Sequence, residues 1–174
     1  NNIIIILNYM IKDVQVIKPK THRDNRGHFY ETWNKTTYYN CGIKKNFVQD
    51  NLSRSKKGVL RGLHYQEKSK SQDKLVCCTR GVVFDVIVDL REKSSSFGQW
   101  FSIRLDRPDL QLWIPKGIAH GFYTLKPNTT ILYNTDKPYD KEIAVDAYSL
   151  RAKFNLHDFK NENGDFNVKG ALED

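Results

Sequence analysis

Residues 58–66 read GVLRGLHYQ and set Arg61 and His64 three residues apart in a stretch that is otherwise glycine-rich and apolar. A guanidinium withdrawn from water needs an anionic partner or ligand, because its uncompensated burial costs several kcal/mol. An imidazole titrates near neutrality and can take or give a proton. Together they point to anion recognition beside acid–base chemistry, although a lone histidine on an apolar strand also serves as an ordinary core residue. In FVQDNLS, alternation puts Gln49 and Asn51 on one side of a strand. Paired amides there can read a diphosphate or a base edge, or satisfy the backbone of a sheet edge. FDVIVDLR places Asp85, Ile87 and Asp89 on the face opposite Val86 and Val88. Carboxylates in so apolar a strand need partners, and orienting a histidine is one use for them. HRDNRGHFYE (22–31) reads as a surface turn with Gly27 supplying a positive φ, and Tyr133 in ILYNTD reads as a core aromatic.

The elements that must position these residues are short. VQVIKP, GHFYETWN, NFVQDNLS, VLRGLHYQ, KLVCCTRGVVFDVIVDL, WFSIRL, LQLWIP, GFYTL and TTILYN are β-branched or aromatic runs separated by Gly, Pro, Asn, Asp and Ser. The pattern is all-β, with NKTTYYNCG as a short helix closed by Gly42 and SLRAKFNL as a brief helical turn or irregular segment. Many short strands around an enclosed site make a sandwich or a jelly roll. At 174 residues the chain holds one core and one domain. That domain is expected over 10–160. Residues 1–9 are read as an extension outside the core, since Ile3–Leu7 is too short for a membrane span or signal core and the sole methionine is Met10. Residues 161–174 form a tail without apolar periodicity.

A net charge of +8 suits an anionic partner or a solvated basic surface. The lysines are scattered, with no aromatic-interleaved stripe, so nucleic acid is not the expected partner, and no membrane partner is expected either. Cys41, Cys77 and Cys78 make neither a disulfide framework nor a zinc spacing, which fits a reducing cytoplasm. Adjacent Cys77 and Cys78 should point to opposite faces of a strand.

PKGIAH (115–120) resembles the second motif of cupin jelly rolls, and GVLRGLH carries the glycine and first histidine of the first. The cupin metal site usually has a second histidine two residues further on, where this chain has Gln66. His64 and His120 alone make a poor metal site, so no metal is expected. Taken in order, RDNRGHFYETWN, FVQDNLSRSKKGVLRGLHYQ, KLVCCTRGVVFDVIVDLREKSSSFGQW, LWIPKGIAHGF and ILYNTDKPY resemble the dTDP-4-dehydrorhamnose 3,5-epimerase family over about residues 14–156. The resemblance implies a homodimeric cupin-type jelly-roll barrel without cofactor, an isomerase acting on a nucleotide-diphosphate sugar in dTDP-rhamnose and lipopolysaccharide biosynthesis. It would invert C3 and C5 of a 4-keto-6-deoxy hexose. Protons α to a ketone can be removed because the charge spreads onto oxygen, which calls for a base, an acid on the other face and a cation near that oxygen.

By this resemblance His64 is the base, Tyr133 the proton donor and Lys74 the cation near the C4 oxygen. Arg26, Phe29, Glu31, Gln49, Asn51, Arg61 and His120 match substrate-binding positions, Tyr139 matches an aromatic that stacks on the base, and Glu142 matches a glutamate of the following loop. One departure stands out. The family orients its histidine with an aspartate preceding a proline, whereas the loop here, YDKEIAVDAYSL, is shorter and brings Ala147 to that position. Asp146 is adjacent, and Asp85 is a second candidate for orienting His64. Loss of tautomer control lowers a histidine's basicity. The sequence therefore also fits a single-carbon epimerase, a ketoisomerase, or a non-catalytic sugar-nucleotide-binding cupin.

Overall fold

Runs of alternating apolar and polar residues, each broken within a few residues by Gly, Pro, Asn or Asp, become strands arranged in two facing sheets. The computed structural model describes residues 5–8, 11–142 and 144–146, with 5–8, 68, 145 and 146 described by backbone alone. One sheet has six strands in the order β1 (Ile5–Asn8), β2 (Gln15–Lys18), β10 (Gln111–Ile114), β7 (Lys74–Arg80), β12 (Thr129–Thr135) and β5 (Gln49–Ser55). The other has five, in the order β13 (Ala144–Asp146), β6 (Leu60–Gln66), β11 (Ile118–Thr124), β8 (Val83–Asp89) and β9 (Trp100–Leu105). A separate hairpin joins β3 (His22–Asp24) to β4 (Gly27–Phe29), with Gly27 at φ +134° in its turn. Non-consecutive neighbours within each sheet give the jelly-roll arrangement of a cupin-type barrel.

The core lies between the sheets. Val16, Val76, Leu112 and Ile131 of the first sheet meet Ile87 and Ile103 of the second. Burial of each such side chain contributes about 1.5–3 kcal/mol. A second cluster covers the outer face of the six-stranded sheet, where Ile17, Leu75 and Trp113 pack with Tyr38 and Ile43. Tyr38 belongs to the short helix α1 (Lys35–Asn40), which Asn34 caps by accepting the Thr37 N–H at 3.1 Å and which Gly42 follows at φ +90°. Strand β7 is thus covered on both faces, and Cys77 and Cys78 are both buried. Burial pushes each thiol up to about 11, which makes them structural rather than nucleophilic.

Ile5–Asn8, read as part of an extension, pair with β2 at the outer edge of the six-stranded sheet. Met10, the SLRAKFNL segment and the 161–174 tail lie outside the described residues.

Candidate active site

The two sheets enclose a cavity of about 500 Å³. Alternation along β5 turns Gln49, Asn51 and Ser53 toward it, while Asp50, Leu52 and Arg54 are exposed on the other face. The neighbouring strands β12 and β7 add Tyr133 and Lys74, and the five-stranded sheet supplies Arg61, His64 and His120.

Residues three apart on a regular strand point to opposite faces, yet Arg61 and His64 line the same cavity. The register explains it. His120 pairs with His64 while Phe122 pairs with Arg61, so β6 carries one residue more than β11 between these rungs, a bulge that turns both side chains the same way. The bulge is built on glycine: a Cβ on Gly62, at φ +105°, would lie 2.5 Å from the Cα of Gly121. Only two glycines let the strands approach so closely and bring His64 opposite His120.

Lys74 is 9% exposed and enters the cavity from the six-stranded sheet. Burial pulls its ammonium down to about 8, and the nearby Asp85 carboxylate offsets only part of that effect. Asp85 is fully buried, and its Oδ2 lies 2.9 Å from His120 Nε2. Its Oδ1 is buried without a hydrogen-bond partner among the described residues. Burial raises its pKa against the opposing influence of His120 and Lys74. Tyr133 also titrates above the usual range because it is desolvated, an effect moderated by the Arg61 charge. Arg61 is held by its Nε, which donates to Ser55 Oγ at 3.1 Å.

At the cavity's rim Tyr139 is 61% exposed. Gln49 accepts the Tyr139 N–H at 3.0 Å and donates to Asn51 Oδ1 at 2.8 Å. The glutamine amide thus satisfies backbone, one of the two uses open to it in the sequence, and Asn51 keeps its NH₂ for the cavity.

The site unites a titratable imidazole, a phenol and a buried ammonium from opposing sheets in one cavity, a constellation for proton transfer at a carbon next to a carbonyl. The family whose model matches residues 8–157 is described as dTDP-4-dehydrorhamnose 3,5-epimerase. The chain belongs to that family. It is 47% identical over 137 residues to the dTDP-4-dehydrorhamnose 3,5-epimerase of Salmonella typhimurium, covering 78% of this chain and 75% of the relative. Among solved structures it resembles the Bacillus anthracis epimerase with TDP and PPi bound, at a TM-score of 0.80 and 38% identity, covering 83% of each chain. It also resembles the Legionella pneumophila dTDP-6-deoxy-D-glucose-3,5-epimerase in complex with dTDP-4-keto-L-rhamnose, at a TM-score of 0.78 and 46% identity, covering 82% of this chain and 77% of the other.

Within this epimerase fold, not every expected site residue reaches the cavity. Asp85 had been a candidate to orient His64, but its hydrogen bond goes to His120, because β11 stands between β8 and β6. The strand pairing brings Asp146 opposite His64, with its side chain outside the described residues, and Ala147 lies outside them altogether. Arg26 and Phe29 sit on the exposed β3–β4 hairpin, where Arg26 is bound to Asp24 at 2.6 Å, and Glu31 accepts from Asn34 Nδ2 at 3.0 Å beside α1. None of these three lines the cavity, nor does Glu142, which is exposed on the loop before β13.

Four further lining residues with polar side chains were not singled out in the sequence as site residues: Ser53, Tyr65, Gln66 and Gln72. Ser53 continues the alternation of Gln49 and Asn51, a signal available in FVQDNLS. Gln66 drew notice only as a missing metal ligand. Among the described residues no group of three His, Cys, Asp or Glu side chains converges as a metal site, and no helix is long and apolar enough to cross a membrane.

Proposed function

We infer that the protein epimerises C3 and C5 of dTDP-4-dehydro-6-deoxy-D-glucose to give dTDP-4-dehydro-L-rhamnose. The observation that carries this reading is that His64 and Tyr133 enter one cavity from opposite sheets, with the buried Lys74 on the Tyr133 side. His64 takes the proton from the carbon beside the ketone, and the electron pair moves onto the C4 oxygen. The Lys74 ammonium stabilises that enolate. Tyr133 then delivers its phenolic proton to the opposite face, the ketone re-forms, and the centre is inverted. Solvent restores His64 and Tyr133 before the second carbon reacts. With Lys74 at about 8, the enolate-stabilising charge is present at neutral pH and lost above it. Activity should therefore decline as pH rises through that value. The backbone pairing of Asp146 with His64 favours Asp146 over Ala147 as the orienting position.

The working unit is a homodimer in the cytoplasm, where the free cysteines Cys41, Cys77 and Cys78 stay reduced. Phe29 on the hairpin is 67% exposed, and Val48 and Leu52, at and beside the β5 edge, are also largely exposed. A second copy covering these surfaces would bring Arg26, Phe29 and Glu31 to its neighbour's cavity. Mixing separately inactive His64→Ala and Arg26→Ala proteins should then recover about a quarter of the activity, because half the dimers are mixed and each holds one intact site. No recovery would mean that Arg26 acts within its own chain or not at all.

The deciding experiment follows C3 and C5 of dTDP-4-keto-6-deoxyglucose by NMR in D₂O. Deuterium at both carbons, abolished by His64→Ala, supports the double epimerase. Exchange at one carbon marks a single-carbon enzyme, and binding of the nucleotide sugar without exchange overturns catalysis.

A further inference from the structure

The loop that presents Tyr139 belongs to no strand, yet each of its residues 137–140 has a backbone group held by a glutamine side chain. Gln72 Nε2 donates to the Lys137 carbonyl at 2.9 Å. Gln66 Nε2 donates to the Pro138 carbonyl at 3.3 Å and to the Lys70 carbonyl at 2.8 Å, while its Oε1 accepts the Asp140 N–H at 2.8 Å. Gln49 Oε1 accepts the intervening Tyr139 N–H at 3.0 Å. The loop's entry is fixed too, since Asp136 Oδ1 accepts the Asp73 N–H at 2.8 Å.

We infer that Gln66, assisted by Gln49 and Gln72, is a positioning residue that holds the 137–140 backbone so that the Tyr139 ring is preset for a nucleotide base. Gln66 is 4% exposed and closes the strand that carries His64 two residues earlier, so one strand fixes both the reacting centre and the loop at the rim. Glutamine suits the task because its amide both donates and accepts, gripping a carbonyl and an N–H at once without adding charge near a diphosphate. The ring itself is largely exposed, so its placement comes from the backbone beneath it. Holding an aromatic in its binding geometry removes an ordering cost that would otherwise be met on association. The position that would carry a second histidine in a metal cupin has become the fastener of the nucleotide end.

This inference rests on the reading of Tyr139 as a stacking residue in an enzyme for a dTDP-sugar, and a mutant cycle tests it separately. Gln66→Met keeps the side chain's length and removes its hydrogen bonds. It should raise KM and the dissociation constant of dTDP roughly ten-fold while kcat stays within about two-fold. In a Tyr139→Ala background the same substitution should change either constant less than about two-fold, since there is no ring left to place. Thermal unfolding checks that Gln66→Met is folded; if it is not, Gln72→Met, whose bond lies at the surface, carries the same cycle. Equal losses in both backgrounds, or a fall in kcat with KM and dTDP affinity unmoved, would overturn the positioning role. Wild-type protein that exchanges sugar protons without this coupling refutes the fastening alone. Coupling in dTDP binding without any exchange keeps the fastening and refutes the epimerase reading.

Discussion

Asp85 and Asp89 lie four residues apart on the same face of β8, and both are fully buried. Their surroundings differ sharply. Asp89 accepts from the Arg91 backbone, from Arg91 Nε at 2.9 Å and Nη2 at 2.8 Å, and from Ser94 and Ser96 hydroxyls at 2.7 Å each. Burial alone would raise its pKa, but these donors hold it well below the usual carboxylate range. Asp85 has one hydrogen bond, an oxygen with no partner among the described residues, and a raised pKa. Asp89 organises a loop; Asp85 sits behind the cavity lining, bonded to His120 and near Lys74, as an incompletely satisfied carboxyl group. One strand thus carries a structural end and an end tied to the candidate site through His120, and the quality of hydrogen bonding tells them apart.

The contrast can be broken most forcefully at the structural end. Asp89→Ala should destabilise the protein by about 2–3 kcal/mol in urea unfolding, because it leaves the Ser94, Ser96 and Arg91 donors without their shared acceptor, while the rate per folded molecule is kept. Since the Asp89 pKa is depressed, its contribution is present above about pH 4 and is shed as pH falls below that, so wild type and variant should converge in acid. A large loss of kcat in this variant would erase the distinction between the two ends.

Lys74→Met should do the reverse. Activity should fall by about a hundred-fold or more, while stability at pH 7 rises by on the order of 3 kcal/mol, the cost of keeping a buried ammonium at about 8 rather than about 10.4. The sign follows from proton uptake. Between these values the unfolded chain binds more protons, so wild-type stability should climb with pH across this window, and that climb should be missing in the variant. Thermal unfolding from pH 7 to 10.5 measures it.

Asp85→Asn has the smallest expected effect on stability, since no dense set of donors is lost. Its signature is in the rate. Without the carboxylate that raises the Lys74 pKa, the alkaline limb of the kcat profile should move to lower pH. An unmoved limb would detach Asp85 from the lysine.

Alternation made much of this readable in advance. Period-two spacing put Gln49 with Asn51, and Asp85 with Asp89, on shared faces, and both assignments follow from local backbone geometry. NKTTYYNCG announced α1 through its polar cap and closing glycine. Arg61 and His64 were harder. Their joint placement depends on a bulge that needs Gly121 on another strand as well as Gly62, so spacing within GVLRGLHYQ alone gives the opposite answer. Gln66 was unreadable for the same reason, because its partners Pro138 and Asp140 lie more than seventy residues away. The hairpin of Arg26 and Phe29 shows a third limit: a resemblance assigns a role to a residue without placing it at the cavity of its own chain.

Strand β7 lies between β10 and β12 and is covered by the inter-sheet core on one face and the Tyr38 cluster on the other. Its amides should be among the slowest in the protein to exchange with solvent, opening only when the whole barrel does. Lys74, at the head of that strand, is then mounted on the least yielding part of the molecule. Heating or denaturant should leave the Lys74 ammonium in place until global unfolding, so on the proposed mechanism activity and fold should disappear together rather than in sequence.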